Sequence, residues 1–190
     1  MKILIACTTQ RSGSTRVCED MTRIGLGKPN EYFMPWITRD DLNWQDELAS
    51  MMEKQTENGL FAVKIMANQI RRIDQKLADN FAPVDDGPFP HFRAALPEAS
   101  WIFIQRKDKI DQAISHFLAK GSGVYHTIKT STGFVPGSAV HENAPKDRLA
   151  DVPYDFSKIL AEWHTLQTGD LLWQEFFRAT GIDPLCIEYS

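Results

Sequence analysis

No run of the chain is long and apolar enough to cross a membrane, and the apolar stretch at its start, Ile3-Leu4-Ile5-Ala6-Cys7, is too short for the core of a signal peptide. Cysteine is scarce. Cys7, Cys18 and Cys186 form an odd set with no CxxC, which supplies neither a disulfide framework nor a zinc site. A reducing, cytoplasmic compartment is therefore the expectation. A surplus of basic residues is missing as well: the formal net charge is −4. That argues against a nucleic-acid coat or an anionic membrane as partner, so an anionic ligand has to be held by local groups. Internal repeats and low-complexity tracts are also lacking. With 190 residues, the chain reads as one domain, 1–190, large enough for a substantial core.

What is present is organised around Lys2 to Thr15. Ile3 to Cys7 has the continuous apolar character of a strand buried on both faces. It gives way to Thr8-Thr9-Gln10-Arg11-Ser12-Gly13-Ser14-Thr15, and a helix-compatible segment, Arg16 to Ile24, follows. Strand, small-residue turn and helix together aim backbone N–H groups at an anion, and the helix N-terminus adds roughly half a positive charge. Ser12, Ser14 and Thr15 offer hydroxyls, Gly13 permits close approach, and Arg11 carries a fork of donors suited to phosphate or sulfate. Two familiar patterns are absent. No lysine precedes Ser14 or Thr15 as GxxxxGK[ST] demands, and the position where CxxxxxR needs arginine after Cys7 is Gly13. An ordinary turn capped by Ser or Thr has the same composition. Position favours the anion, since ligands of open α/β sheets bind beyond the carboxyl ends of the strands.

Along the chain, Lys28 to Trp36 forms a loop with Tyr32, Phe33 and Trp36 and one carboxylate, Glu31. Its aromatics either wall a substrate or pack on the core. Trp44 to Glu57 reads as a helix, and Leu60 to Met66 as a second buried strand containing Lys64, which either snorkels to the edge or reaches an anion. Asn68 and Gln69 follow at that strand's carboxyl end, opening a helix to about Ala78. Residues 82–97 read as loop with a helical turn at Phe92 to Leu96, and His91 as solvated. Trp101 to Ile104 is a third strand, delivering Arg106 to the same edge. In the next helix Ile110, Ala113, Ile114, Phe117 and Leu118 share a face. Arg106 and Ser115 either flank a second anion, or Arg106 pairs with Asp108 and Ser115 merely packs. The polar stretch 121–153, with His126 and His141, has the length of a lid or binding loop. Asp155 caps a helix carrying an aromatic stripe from Phe156 to Phe177, a core or a partner interface, and Leu185 to Tyr189 is a last strand. Strands alternating with helices give an α/β fold with a mostly parallel sheet.

Several stretches carry a resemblance: QRSGST at 10–15, KPNEYF at 28–33, FAVKIMANQ at 61–69, RKDKIDQAIS at 106–115, GVYH at 123–126, YDFSKI at 154–159 and WQEFF…GIDPLCIEY at 173–189. In this order they resemble the bacterial sulfotransferases typified by trehalose 2-sulfotransferase. The resemblance implies a three-layer, P-loop-like sulfotransferase fold. It also implies transfer of a sulfuryl group from 3′-phosphoadenosine 5′-phosphosulfate (PAPS) to a hydroxyl of a sugar or other small alcohol, without a metal. Carried over, Arg11, Ser12, Gly13, Ser14 and Thr15 would hold the 5′-phosphosulfate, with Arg11 also catalytic. Arg106 and Ser115 would hold the 3′-phosphate, and Glu31 would accept the proton. Gln10, Glu31, Tyr32 and Phe33 would meet the acceptor. A homodimer is also implied. Arg16 and Val17 replace apolar residues of the family, Ala67 stands where tryptophan is frequent, and the family continues past the last strand, so the chain is expected to lack a C-terminal segment. A nucleotide-binding protein without catalysis, and a nucleotide kinase-like enzyme, are the alternatives.

Overall fold

The computed structural model describes residues 1–123, 125 and 152–190. His126, His141, Val124 of the GVYH stretch and most of the 121–153 segment lie outside the described residues.

The chain enters at β1 (Lys2–Thr8), whose residues after Lys2 are all buried, as a strand covered on both faces must be. Helix α1 (Ser14–Arg23) follows, then the short α2 (Met34–Ile37) and α3 (Trp44–Gln55), capped by the Asn43 side chain. β2 (Leu60–Met66) runs directly into α4 (Ala67–Leu77). After α5 (Pro90–Ala95) come β3 (Ser100–Arg106) and α6 (Lys109–Ser122), capped by Asp108. The long α7 (Phe156–Thr180) starts at the Asp155 cap and stops at Gly181, whose left-handed backbone suits glycine. β4 (Leu185–Tyr189) completes a four-stranded sheet of order β2-β1-β3-β4. Every neighbouring pair is parallel. The α/β class with a parallel sheet is thus what forms.

Parallel pairing brings the carboxyl ends together. Thr8 is level with Met66 on one side and Ile104 on the other, and Arg106 is level with Tyr189. Alternate residues of the strands feed two apolar clusters. Ile3, Ile5 and Cys7 pack with Phe61, Val63 and Ile65 against α3, α4, α5 and α7. Leu4, Ala6, Ala62, Ile102 and Ile104 pack with Cys18 and Met21 of α1. No helix among the described residues is long and apolar enough to cross a membrane.

Three expectations change here. The inward face of α6 carries Gln112, Ala113, His116, Phe117 and Ala119, whereas Ile110 is 65% exposed and Ile114 is 36% exposed. Polar side chains take the inner positions because they meet polar partners from the loop after β1 and from α7. The turn expected at Phe92 to Leu96 forms as α5, shifted to Pro90–Ala95, and His91 is half-buried, its Nδ1 2.7 Å from the Phe81 carbonyl. The aromatic stripe of α7 divides: Leu166, Trp173, Phe176 and Phe177 are core, while Phe156 and Leu160 are exposed.

Candidate functional site

Beyond Thr8 the backbone turns sharply. Arg11 and Gly13 both have positive φ, 57° and 85°, on either side of Ser12. Alternation between right- and left-handed backbone curls successive N–H groups toward one side and makes a concavity for anions. Gly13 then serves as the N-cap of α1, its carbonyl accepting from the Arg16 and Val17 N–H groups at 3.0 and 3.2 Å. Glycine is required there twice over: its φ is left-handed, and a Cβ would overlap the Tyr189 ring.

The loop is anchored from below. The Thr8 hydroxyl donates to the Ile104 carbonyl at 2.9 Å and accepts from the Ser12 hydroxyl at 2.5 Å, and Trp173 Nε1 donates to the Thr8 carbonyl at 3.0 Å. The Thr9 hydroxyl donates to Asp170 at 3.0 Å, and Asp170 also pairs with Lys109. Gln112 Nε2 donates to the Thr9 hydroxyl at 3.0 Å and to the Gln10 carbonyl at 2.7 Å. α7 comes this close because residue 169 is glycine; a Cβ there would sit 2.7 Å from Thr9 Cγ2.

Above the loop opens a cleft of about 460 Å³. Gln10, Arg11, Gly13, Ser14, Thr15 and Arg16 form one wall. Glu31, Asn68 and Gln69 also line it, as do Arg106, His116 and Tyr189, whose ring lies against Gly13. The Arg11 guanidinium turns toward α6, where Nε donates to Ser115 Oγ at 2.9 Å, and the head also meets the Tyr125 carbonyl. Burial, and then the neighbouring Arg106, hold the Arg11 guanidinium below its ordinary range. Arg106 lies 3.6 Å from Asp111, and its Nε is buried with no hydrogen-bond partner among the described residues. Asp108, the alternative partner for Arg106, instead accepts from the Asp111 N–H. His116 Nδ1 is 2.8 Å from Glu162 without the alignment of a hydrogen bond. Burial is the larger influence on the imidazole and lowers its pKa.

Glu31 reaches the cleft from a loop fastened to the outer edge of β2. The Lys64 N–H donates to the Asn30 carbonyl at 3.0 Å, and Asn30 Oδ1 accepts from the Glu31 N–H at 2.8 Å. Lys64 Nζ lies 3.1 Å from Glu31 Oε1, and Gln69 Nε2 donates to Oε2 at 2.6 Å. Lys64, left open between edge and anion, thus reaches an anion belonging to the protein itself.

The structure brings Gln10, Arg11, Gly13, Ser14, Thr15, Glu31 and Arg106 to one cleft, with Ser115 joined to it through Arg11. Ser12 turns its hydroxyl inward and is fully buried. Tyr32 and Phe33 do not line the cleft. Phe33 is 1% exposed, stacked on Trp44 and edge-on to Trp36, so the loop spends its aromatics on the core. Tyr32 stacks on Phe61 and donates to the Lys28 carbonyl at 2.6 Å. Burial, with Glu57 adding to it, pushes its phenol up to about 12. Sequence reasoning missed Thr9, Lys109, Gln112 and Asp170. One signal was available: Asp170 sits at core spacing between Leu166 and Trp173, where a carboxylate has to find a partner. Among the described residues no three of His, Cys, Asp and Glu gather as metal ligands.

A family model described as Stf0 sulphotransferase matches residues 3–190. No curated protein matches the chain.

Proposed function

The chain belongs to the Stf0 sulphotransferase family, and on that basis we propose that it moves a sulfuryl group from PAPS to a hydroxyl of a sugar or other small alcohol. The observation that carries the reading is the Arg106 Nε, buried and without a hydrogen-bond partner among the described residues, beside Arg11 in a cleft that the curled loop 11–15 also lines. A buried guanidinium N–H without an acceptor is costly, and a phosphate supplies one. Two anion-seeking groups in one cleft, the Arg106 guanidinium and the loop 11–15, suit a ligand with two anionic groups.

In this reading Arg106 and Ser115 receive the 3′-phosphate, and Arg11, expected at the 5′-phosphosulfate, joins them there because its guanidinium turns to Ser115. The N–H groups and hydroxyls of Gly13, Ser14 and Thr15 receive the 5′ end. PAPS, when bound, supplies an activated sulfuryl group whose bond to the 5′-phosphate oxygen breaks as the acceptor oxygen bonds to sulfur. Glu31 takes the proton from that acceptor hydroxyl, and Gln10 borders the acceptor. Sulfuryl transfer carries less charge than phosphoryl transfer, so fixed N–H and guanidinium donors serve where kinases use magnesium. Residues 1–190 are taken as one three-layer, P-loop-like domain, supported by the apolar clusters on both faces of the sheet. The exposed Phe156 and Leu160 of α7 support a homodimer contact.

Calorimetric titration with adenosine 3′,5′-bisphosphate, with and without magnesium, tests the site. Binding independent of magnesium is expected, weakened in Arg106→Ala by about 1.5–3 kcal/mol, the range for a hydrogen bond to a charged group. A folded protein that binds no bisphosphate refutes the reading. Tight binding with no transfer to a broad panel of hydroxyl acceptors favours a nucleotide-binding protein without catalysis.

A further inference from the structure

We infer that Lys64 and Gln69 are positioning residues for Glu31, fixing both oxygens of its carboxylate so that it meets the acceptor hydroxyl charged and already aimed. The inference rests on the reading of Glu31 as proton acceptor.

A lysine in the middle of a buried strand needs a reason. Lys64 is level with Ala6 of the central strand and is 0% exposed. Ammonium groups are left in such places only when paired, because the desolvation cost is otherwise several kcal/mol. Its Nζ is directed to Glu31 Oε1, and its own backbone N–H holds the residue before Glu31. One strand position therefore grips the Glu31 segment twice, by main chain and by side chain. Asn30 also bridges Val63 in parallel, so the segment runs as an extra rung on β2.

Gln69 completes the grip from the first turn of α4. Its Oε1 accepts from the Met66 N–H at 3.3 Å, which leaves its amide nitrogen to face Glu31 Oε2. A glutamate side chain has several freely rotating bonds, and a donor on each oxygen removes that freedom before the acceptor arrives. The arrangement also accounts for a carboxylate kept largely out of water at the cleft wall, with 11% of its side chain exposed. Removing Lys64 strands the carboxylate, and removing the carboxylate strands Lys64, so the two positions are energetically coupled.

A double-mutant cycle tests this with two readouts. In urea unfolding, Lys64→Met is expected to lower the midpoint, and Glu31→Gln with Lys64→Met to regain much of that loss, since neither side then leaves a lone buried charge. In transfer assays Lys64→Met and Gln69→Leu are each expected to lower kcat by roughly 100-fold, the lower range for a positioned base. Bisphosphate affinity should be unchanged, and in the Glu31→Gln background neither change should cost anything more. Effects that multiply in that background would mark a merely structural role and overturn the inference, as would a double variant no more stable than Lys64→Met. Gln69→Leu strands no charge and keeps the kinetic arm decisive if Lys64→Met folds poorly. Glu31→Gln transferring at the parent rate sinks the reading of Glu31, and this inference with it. Glu31→Gln inactive with Lys64→Met and Gln69→Leu at the parent rate sinks this inference alone.

Discussion

Replacing Asp170 by Asn and by Ala separates the two tasks its carboxylate performs beneath the anion-facing loop. The residue is 3% exposed, accepts from the Thr9 hydroxyl at 3.0 Å and pairs with Lys109. Breaking a buried pair from one side costs about 3–5 kcal/mol when the abandoned charge cannot reach water. The Lys109 side chain is 23% exposed and rehydrates in part, so the ionic share falls to about 2 kcal/mol. The Thr9 hydrogen bond adds about 1 kcal/mol, which Asn preserves and Ala does not. Asp170→Asn should therefore lose about 2 kcal/mol and Asp170→Ala about 3 kcal/mol. For a chain of this size each kcal/mol moves Tm by about 2–4 °C, giving decreases of roughly 4–8 °C and 6–12 °C. Circular dichroism melts measure both. Bisphosphate titration should show weaker binding by Asp170→Ala, because Thr9 loses its acceptor beneath the loop, and little change in Asp170→Asn, which keeps it. Melting of both variants within about 2 °C of the parent, or Asn falling further than Ala, would refute the reasoning.

Two other outcomes follow from the same geometry. Gly13→Ala should lose about 1–2 kcal/mol from its left-handed backbone alone, with a further loss from overlap with Tyr189, and it should bind bisphosphate poorly. Tyr189→Ala on top should recover only the overlap share, as read by urea unfolding. Burial of His116, with Arg11 and Lys120 nearby, favours its neutral form against the opposing pull of Glu162, so the unfolded chain binds the extra proton first. Stability should fall as pH drops below about 6.5 and be unaffected by this group above it. Urea midpoints measured from about pH 5.5 to 8 should show that slope in the parent and lose it in His116→Gln.

β2 occupies the residues expected of it, Leu60–Met66, and β1 and β3 extend theirs by a residue or two, because apolar runs, interrupted in β2 by Lys64 alone, announce strands buried on both faces. The cradle was legible as a turn rich in small residues between such a strand and a helix. What stayed hidden depends on distance along the chain. Thr9 and Asp170 are 161 residues apart, and no local pattern joins them. Lys64 was visible as an anomaly in an apolar strand, yet only the folded loop shows that its anion is Glu31. On α6, periodicity selected Ile110 and Ile114 because apolar residues usually face inward; Gln112 and His116 displace them by serving the loop and the cleft. On the 28–33 loop, composition left the aromatics undecided between substrate and core, and packing among Trp36, Trp44 and Phe92 claims Phe33.

Of the four described strands, the first to leave the ribosome is one that ends in the middle of the sheet. Its neighbours begin at Leu60 and Ser100, so the nascent chain carries the apolar run Ile3 to Cys7 with both edges open while dozens of residues are still being made. Such an interval is when a holding chaperone is of most use. The loop at 11–15 waits longer still. Thr8 and Thr9 gain their ties to Trp173 and Asp170 only once the chain as far as Trp173 has emerged. The earliest synthesised part of the site is thus the last to be fastened, and a nascent chain stalled before α7 carries the loop without its floor.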